Sequence, residues 1–263
     1  MDADAKERAA NIACAAADAA RGEILPRYRS VAVETKADGS PVTEADRAAE
    51  QAIRSVLRDT YPDALLQGEE FGDETASQAS GEGPRLSWII DPIDGTIAFS
   101  RGIPLFSTLI ALLEDGEPVV GLIDLPALDE RFVGWQGGGC RRNGERVQVS
   151  ERSSLKDAVV SHGDPFCFDR AGQRPAFERM AREIPMLRGY TDAFGHALVL
   201  GGGVDVMVDL DLNPWDAAAT QVLVPEAGGA CALHRAPNGK IGLVPGSPPL
   251  VRELSGWLEK PEE

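Results

Sequence analysis

The segment that most constrains this chain is the nonapeptide WIIDPIDGT, in which an apolar run meets two carboxylates. Residues 86–90 predict a buried strand, and Pro92 is expected to end it, because proline has a fixed φ and no N–H for a sheet ladder. Asp91 and Asp94 would then converge at the strand end, with the Ile93 carbonyl oxygen between them. Hard divalent cations prefer oxygens presented in this way. An acidic turn is the alternative, since Asp, Pro and Gly all favour turns.

The charge and the cysteine content limit the classes of function. The chain has 26 Lys and Arg against 42 Asp and Glu, a formal net charge of −16 over 263 residues. Nucleic acid is therefore not expected as a partner, since phosphate backbones are bound by clustered cations. Four scattered cysteines without a CxxC pair suit a reducing compartment, and charged residues precede any apolar run at the N-terminus. We expect a cytoplasmic protein with no signal peptide and no membrane contact.

The hydrophobic pattern predicts both helices and strands along the chain. Helices are expected at residues 3–29, from the N-cap Thr43 onward, and at 174–182, 192–200 and 214–226. Asp115-Gly116 between two apolar runs predicts a β-hairpin. Strands are also expected at 64–66, 131–135, 147–149, 158–161, 186–188 and 204–208, and a surface loop at 73–85.

Acidic residues stand at the boundaries of four predicted elements. Asp46 and Asp216 lie at helix starts, Glu69 and Glu70 follow a short strand, and the two aspartates of WIIDPIDGT follow the central strand. For Asp46 and Asp216 an ordinary helix cap is the alternative interpretation, because acids are favourable there.

Together these motifs resemble, over nearly the whole chain, those of the inositol monophosphatase-like family of metal-dependent phosphomonoesterases. The resemblance rests on SPVTEAD (40–46), GEEFG (68–72), WIIDPIDGT (88–96) and PWDAAATQVLVPEAGG (214–229). It implies an α+β fold, a layered αβαβα sandwich, in one unit over residues 1–263. The larger, antiparallel sheet would come from residues 1–150 and the smaller sheet from 151–263. Relatives are commonly homodimers, so a homodimer is expected.

The resemblance also implies a cluster of Mg²⁺ ligands. Glu69, Asp91 and the Ile93 carbonyl oxygen would bind a first ion, and Asp91, Asp94 and Asp216 a second, with Asp91 bridging. Two metal ions roughly 3.5–4 Å apart can lower the pKa of a water, neutralise phosphoryl oxygens and stabilise a departing alkoxide. We therefore expect a Mg²⁺-dependent phosphomonoesterase with two ions per subunit and room for a third.

By the same resemblance Asp46, Glu69 and Thr96 are catalytic, with Thr96 and Asp46 orienting or deprotonating the attacking water. Glu70 would be an outer ligand of the weaker third ion. Gly95 and Thr96 would open a helix whose backbone N–H groups hold the phosphate, which the helix dipole also favours.

Details within the family favour histidinol phosphate over inositol phosphate as the substrate. The segment RGYTDAFGHALVLGGGVDVMVD (188–209) resembles the bacterial histidinol-phosphatase branch. Asp192 and Asp209 could bind the ammonium group of histidinol, and a helix cap and a strand-end turn are their respective alternatives. The chain departs from the family pattern at two places, with Ala98 before Phe99 where Asn is usual and Thr191 where that branch more often has Gly. The substrate-binding residues implied are Asp94, Gly95, Thr96, Arg188, Thr191, Asp192, Ala193, Asp209 and Asp216.

Three other functions stay open. Hydrolysis of inositol 1-phosphate, or of a broad range of sugar and nucleotide phosphates, would use the same metal chemistry, and a catalytically silent homologue would bind metal without turnover. A covalent aspartyl-phosphate route is not expected, because Asp91 and Asp94 are three residues apart with proline between them. The chain has no GxSxG, HExxH or Walker motif, which disfavours α/β-hydrolases, zincins and P-loop NTPases.

Overall fold

The computed structural model describes residues 1–30, 32–35, 41–74, 85–236 and 239–258. The helices in this part of the chain are α1 (Ala3–Arg27), α2 (Glu44–Thr60), α3 (Thr96–Ser100), α4 (Pro165–Arg170), α5 (Arg174–Glu183), α6 (Asp192–Leu200), α7 (Pro214–Glu226) and α8 (Pro248–Ser255). The strands are β1 (Val33–Thr35), β2 (Pro41–Thr43), β3 (Leu65–Gly68), β4 (Gly72–Glu74), β5 (Leu86–Asp94), β6 (Ser107–Glu114), β7 (Glu117–Leu125), β8 (Glu130–Trp135), β9 (Gly139–Arg142), β10 (Glu145–Arg146), β11 (Val159–His162), β12 (Met186–Arg188), β13 (Val206–Leu212), β14 (Ala230–Arg235) and β15 (Ile241–Gly246).

Helices α1 and α2 form the first layer. The side chain of Asp2 caps α1 by accepting a hydrogen bond from the Ala5 N–H at 2.8 Å. Helix α2 begins after the predicted cap Thr43, which forms a capping box with Asp46. Most buried residues of α1 are alanines, and these small side chains let the two helices pack closely. Both helices cover one face of the larger sheet. Ile24 of α1 and Ile53 and Leu57 of α2 belong to the same buried cluster as Trp88 and Ile110 of the sheet.

The larger sheet has the strand order β10-β9-β8-β7-β6-β5-β3-β4 within the described residues. Its neighbouring strands are antiparallel except for β3 and β5, which run parallel. The predicted hairpin joins β6 to β7 through Asp115 and Gly116, which have φ values of +52° and +90°. Strand β5 therefore lies inside the sheet, with partners on both sides.

The prediction that the central strand stops before Pro92 is wrong, because β5 continues to Asp94. Its pairing with β6 is irregular between Asp91 and Asp94, so Pro92 lies in a bulge that needs no ladder N–H from it. On the other side β3 pairs with β5 only as far as Ile90. The Pro92 carbonyl oxygen accepts a hydrogen bond from Thr108 Oγ1 at 2.8 Å. Because bulges redirect side chains, this one sets the directions of the two carboxylates that flank it.

Helices α6 and α7 form the middle layer, and both have the bounds predicted from the sequence. Pro214 is the first residue of α7, a position where its missing N–H costs nothing. Helix α7 packs against strands of both sheets. Its apolar side chains join a buried cluster that includes Ile123, Phe132, Val199, Met207 and Leu223.

The smaller sheet has the order β12-β11-β13-β15-β14 within the described residues. Strand β11 runs parallel to β12 and β13, and the other pairs are antiparallel. Helices α4, α5 and α8 cover its outer face through residues such as Phe168, Met180 and Leu254. The molecule is thus a layered α+β sandwich in the order αβαβα, as predicted.

Two local predictions differ from the structure. The strand predicted at 147–149 is wrong, because the tight turn at Asn143 and Gly144, both with positive φ, pairs the residues that flank it directly and forms β10 earlier in the chain. Part of the loop predicted at 73–85 belongs to β4, and its residues 75–84 lie outside the described residues, as does Ser40 of the first acidic motif. In the described part of the chain, every helix is too short or too polar to cross a bilayer.

Candidate active site

Three carboxylates from two elements meet where β5 approaches α7. Asp91 and Asp94 come from the bulged end of β5, and Asp216 lies in the first turn of α7. Oxygen atoms of the three side chains all lie within 4.8 Å of one another. Asp91 is buried, whereas Asp94 and Asp216 are partly exposed. The fold therefore brings together acids that are far apart in the sequence.

Backbone and hydroxyl donors hold the two carboxylates of β5. The Ile93 N–H donates to Asp91 Oδ1 at 3.0 Å. Asp94 Oδ2 accepts from Ser107 Oγ at 3.0 Å and from the Ala193 N–H at 2.7 Å. Since Ala193 lies in the first turn of α6, this last bond places the predicted substrate-binding segment beside the carboxylates.

Asp216 is both a capping residue of α7 and a member of the carboxylate cluster. As the third residue of α7 it accepts a hydrogen bond from the Asn213 N–H at 2.7 Å, which makes it a helix cap. Asn213 Oδ1 in turn accepts from Lys240 Nζ at 2.5 Å. The cap fixes the side chain in an orientation that also brings it to Asp91 and Asp94.

Glu69 follows β3 directly and reaches Asp91. Its backbone N–H donates to the Ile90 carbonyl oxygen at 3.2 Å, which extends the pairing of β3 with β5 by one residue. Its negative charge acts on Asp91 and raises the pKa of that buried carboxyl.

A buried ion pair on α2, for which the sequence carries no prediction, holds the segment that contains Glu69. Glu50 Oε2 accepts from the Glu70 N–H at 2.7 Å, and Glu50 Oε1 accepts from Arg54 Nε at 2.8 Å. Both side chains are buried. A Cβ atom at Gly68 would lie 2.0 Å from Glu50 Oε1, so the glycine leaves room for the ends of the Glu50 and Arg54 side chains.

Burial and mutual repulsion raise the pKa of all three clustered aspartates. Burial raises the pKa of Asp91 most, and the charges of Glu69, Asp94 and Asp216 raise it further. The pKa of Asp94 is raised by burial and then by Asp192 and Asp216. Burial raises the pKa of Asp216 to about 7. Such a cluster favours either protons or a cation, because like charges at this distance destabilise one another.

The available donors fit a hard divalent cation. They are all oxygens, and they line one cavity: the carboxylates of Glu69, Asp91, Asp94 and Asp216 and the backbone of Ile93. A bound Mg²⁺ would remove the repulsion that raises the pKa values of the aspartates. These five residues are therefore the ones that would hold the ions.

The cavity has a volume of about 280 Å³. Gly95 and Thr96 line it, and α3 begins at Thr96 as predicted. Gly95 has a φ of +80°, and a Cβ atom there would lie 3.2 Å from the Leu105 carbonyl oxygen. Thr96 Oγ1 donates to the Ile93 carbonyl oxygen at 3.1 Å. Further described residues that line it include the acids Asp164, Asp192, Asp209 and Asp211 and one arginine, Arg170.

Neither Asp192 nor Asp209 matches the alternative considered for it. The N-cap of α6 is Thr191, and Asp192 is the first helical residue, with a φ of +59°. Thr191 Oγ1 donates to Asp192 Oδ2 at 3.0 Å. Asp209 lies within β13, not at its end, and is 3% exposed. Burial and then the negative charge of the nearby Asp209 raise the pKa of Asp192 to about 6, so the two carboxylates repel each other in the cavity wall.

Four residues with predicted roles are not among the described residues that line the cavity: Asp46, Glu70, Arg188 and Thr191. Asp46 is 1% exposed, and its Oδ2 accepts from the N–H of Thr43 at 2.8 Å and from its hydroxyl at 2.5 Å, as in an ordinary cap. Burial raises the pKa of Asp46 to about 6. Arg188 is exposed and donates to the Leu187 carbonyl oxygen at 2.8 Å.

Eight of the described lining residues carry no predicted role: Asp164, Cys167, Arg170, His196, Leu210, Asp211, Leu212 and Asn213. His196 lies one turn after Asp192, so helical spacing could have placed it on the same face. Asp164 caps α4, which its position before Pro165 could have indicated. Asp211 has a φ of +64° and pairs with Arg170 at 2.5 Å, and no sequence pattern announces this contact.

Comparison with known proteins agrees with this geometry. Residues 5–249 match the sequence model of the inositol monophosphatase family. A histidinol-phosphatase from Chlorobaculum parvum is 40% identical over 230 residues, 86% of each chain. A fructose-1,6-bisphosphatase/inositol-1-monophosphatase from Thermotoga maritima is 41% identical over 189 residues, 72% of this chain and 69% of that one. The solved structure of an inositol monophosphatase from Zymomonas mobilis has a TM-score of 0.82 and 31% identity, covering 99% of this chain and 100% of that one. The chain belongs to the inositol monophosphatase family.

Proposed function

We propose that this phosphate-monoester hydrolase cleaves L-histidinol phosphate to L-histidinol and phosphate, with Mg²⁺ as its cofactor. The observation that carries the proposal is the convergence of Asp91, Asp94 and Asp216 within 4.8 Å on a cavity large enough for a small phosphate ester. The relative from Chlorobaculum parvum that is named histidinol-phosphatase supports the choice of substrate.

The metal end of the cavity would bind the phosphate. Magnesium held by Glu69, Asp91, Ile93, Asp94 and Asp216 would supply the positive charge that a phosphate dianion and its leaving alkoxide need. We assign the ligand roles in this way because all five residues line the cavity. Two ions per subunit are proposed, with Glu70 as an outer ligand of a third.

The attacking water would be oriented by the chain itself. Thr96 Oγ1 donates its proton to the Ile93 carbonyl oxygen, so its lone pairs remain free to accept a hydrogen bond from a water in the cavity. We also propose that Asp46 takes part in proton transfer. Its carboxylate accepts hydrogen bonds from Thr43, and it is not among the described residues that line the cavity. An Asp46→Asn variant with unchanged turnover would remove it from the mechanism.

The remaining acids of the cavity wall favour a cationic leaving group. They are Asp164, Asp192, Asp209 and Asp211, and Arg170 is the single basic side chain of Lys or Arg type among the described lining residues. Burial and then repulsion from Asp209 raise the pKa of Asp192 to about 6, and the ammonium group of histidinol would offset that repulsion. A neutral polyol such as inositol offers no such compensation.

One observation favours a second candidate, the hydrolysis of a sugar bisphosphate. Arg170 lines the cavity and is 61% exposed, so its guanidinium could leave Asp211 and bind a second phosphate group. The relative from Thermotoga maritima is named fructose-1,6-bisphosphatase/inositol-1-monophosphatase.

For either substrate we expect a homodimer in the cytoplasm, where the four free cysteines of the described chain would stay reduced.

A substrate panel tests the proposal. The protein, stripped of metal by a chelator, is assayed for phosphate release with and without Mg²⁺ on histidinol phosphate, inositol 1-phosphate, fructose 1,6-bisphosphate and 3′-phosphoadenosine 5′-phosphate. We expect Mg²⁺-dependent release with the highest kcat/KM for histidinol phosphate. A higher kcat/KM for fructose 1,6-bisphosphate would favour the second candidate. Tight Mg²⁺ binding without turnover of any of the four would indicate the silent homologue.

A further inference from the structure

His196 lies in the wall of the cavity, and the reaction proposed above does not use it. The residue is 1% exposed and follows Asp192 by one turn of α6. A buried histidine can orient two different partners, because its two ring nitrogens are distinct and each serves as donor or acceptor according to the tautomer.

The two ring nitrogens of His196 face residues of two other elements. Nδ1 lies 2.9 Å from Thr220 Oγ1 of α7, and Nε2 lies 3.3 Å from Asp209 Oδ2 of β13. Among the residues that the structure describes, both Nε2 and Oδ2 lack a hydrogen-bond partner, so the 3.3 Å contact between them is a close approach and not a formed hydrogen bond. Thr220 follows Asp216 by one turn, so His196 connects the helix of a proposed metal ligand to the strand of a proposed substrate ligand.

The geometry selects where the ring proton lies. If Nδ1 alone carried the proton, the lone pair of Nε2 would face the Asp209 carboxylate at 3.3 Å, which is repulsive. If Thr220 Oγ1 donates to Nδ1, the proton lies on Nε2 and faces the carboxylate instead. The contact is longer than an ideal hydrogen bond, and such contacts commonly tighten when a ligand binds.

The other oxygen of Asp209 is positioned by Gly163. A Cβ atom at residue 163 would lie only 2.1 Å from Asp209 Oδ1, so the glycine leaves room for that oxygen. The Gly163 N–H donates to the Val208 carbonyl oxygen at 2.9 Å, which ties this segment to β13. Gly163 therefore leaves the space that one carboxylate oxygen occupies, and His196 Nε2 lies 3.3 Å from the other.

We propose that His196 is a positioning residue for substrate selectivity, and that its Nε2–H holds the Asp209 carboxylate ready for a cationic group of the leaving alcohol. The inference rests on the proposed function, since it assumes that the leaving group carries an ammonium. Thr220 serves the same purpose indirectly, because its hydroxyl sets the tautomer of His196.

Two substrates that differ in one group test this selectivity. L-Histidinol phosphate carries the ammonium, and 3-(imidazol-4-yl)propyl phosphate has the same skeleton without it. The quantity measured is the ratio of their kcat/KM values, in the Mg²⁺-loaded enzyme. A merely structural role of His196 would lower both kcat/KM values together and leave the ratio unchanged, whereas a positioning role lowers the ratio through the KM of histidinol phosphate.

We expect His196→Leu to lower the ratio about tenfold, the usual scale for a hydrogen bond to a charged group. His196→Gln, whose amide N–H can replace Nε2–H, should stay within about threefold of the wild type. Gly163→Ala should lower the ratio by displacing the carboxylate of Asp209. His234→Leu, which changes a half-buried histidine of β14 that is not among the described cavity residues, is the matched control. An unchanged ratio in a folded His196→Leu variant would overturn the proposal.

A second measurement does not depend on the substrate. The ¹⁵N shifts of the imidazole nitrogens identify the tautomer, and the chain has three histidines, so the His196→Gln spectrum assigns the signals of His196. We expect the proton on Nε2 in the wild type and a weaker preference for it in Thr220→Val, where only the Asp209 carboxylate still favours this tautomer. A proton on Nδ1 alone would contradict the inference. Failure of the wild type to cleave histidinol phosphate would instead contradict the proposed function. The tautomer of His196 would then be the remaining test of the inference.

Discussion

Asp94 is the residue at which the proposed metal-binding and substrate-binding roles overlap. Its Oδ2 accepts hydrogen bonds from Ser107 of the neighbouring strand and from Ala193 of α6. Asparagine would keep the shape of the side chain and one acceptor oxygen, but it would remove the negative charge. The fold should therefore tolerate this replacement far better than the reaction.

We expect Asp94→Asn to lower kcat/KM by roughly 100-fold or more, because a preorganised charge at the reacting centre is lost. The melting temperature without divalent cations should stay the same or rise, since one like charge beside Asp216 disappears. Asp59→Asn, at an exposed position near the end of α2, is the control. Turnover at the wild-type rate in Asp94→Asn would remove Asp94 from the set of ligands.

At the scale of residues, the sequence indicates the acids that stand in motifs and misses those that packing supplies. Asp91, Asp94 and Asp216 were predictable because each lies at an element boundary within a recognisable pattern. Asp164 and Asp211 reach the cavity only because α4 packs against β13, a contact between segments that share no motif.

Helix α2 connects the first acidic motif to the second. Its buried Glu50 accepts from the Glu70 N–H at 2.7 Å and from Arg54 at 2.8 Å, and Arg54 Nη2 donates to the Gly72 carbonyl oxygen at 2.5 Å. The segment after β3 is thus fastened to the helix by its backbone. The direction of the Glu69 side chain depends on this fastening.

We expect Glu50→Ala to cost about 3 kcal/mol of folding free energy, because it leaves the guanidinium of Arg54 buried without its main counter-charge. That corresponds to a fall in melting temperature of roughly 6–12 °C for a chain of this size. Mg²⁺ affinity, measured by calorimetry on the folded variant, should also fall. Glu44→Ala, an exposed position in the first turn of the same helix, should change the melting temperature by only a degree or two. Equal effects of the two variants would contradict the proposed fastening.

At the scale of elements, the helices with clear caps were predictable and the irregular strand was not. Helices α6 and α7 have the predicted bounds because Gly201 or Pro214 marks an end. The extension of β5 through Pro92 depends on a bulge and on the early end of β3, and both are properties of the pairing partners. The sequence of β5 alone therefore does not predict the bulge or the early end of β3.

The two sheets share one core through the middle layer. A single buried cluster contains Ile123 and Phe132 of the larger sheet together with Val199, Met207 and Leu223 from later in the chain. We propose that residues 1–150 and 151–263 form one folding unit, because neither half could leave this cluster without exposing the other.

Tryptophans on both sides of the division make that proposal measurable. Trp88 and Trp135 report on the first half, and Trp215 and Trp257 on the second. Two double variants, each keeping one pair, should unfold in urea with fluorescence midpoints that coincide with their own far-UV circular dichroism midpoints. Separate midpoints for fluorescence and dichroism in either variant would indicate two units.

The excess of acid makes the whole molecule sensitive to pH when it lacks metal. Burial raises the pKa of Asp216 to about 7 from an ordinary value of 3.8, and it raises the pKa values of Asp91 and Asp94 as well. At pH values between the ordinary and the raised pKa, the folded chain binds more protons than the unfolded chain. The stability that these protonated carboxyl groups contribute is therefore complete below the ordinary pKa. It is lost as the pH rises through the raised pKa.

We accordingly expect the melting temperature of the chelator-treated protein to be several degrees lower at pH 8 than at pH 5.5, with each kcal/mol worth about 2–4 °C. Mg²⁺ should restore it at pH 8, because a ligand that binds only the folded state stabilises that state. General repulsion at a net charge of −16 acts in the same direction, so a control is needed. Asp216→Asn and Asp59→Asn each remove one negative charge, but only the first removes a carboxylate from the cluster and should flatten the pH dependence. If both variants keep the wild-type slope, the clustered carboxylates are not its source.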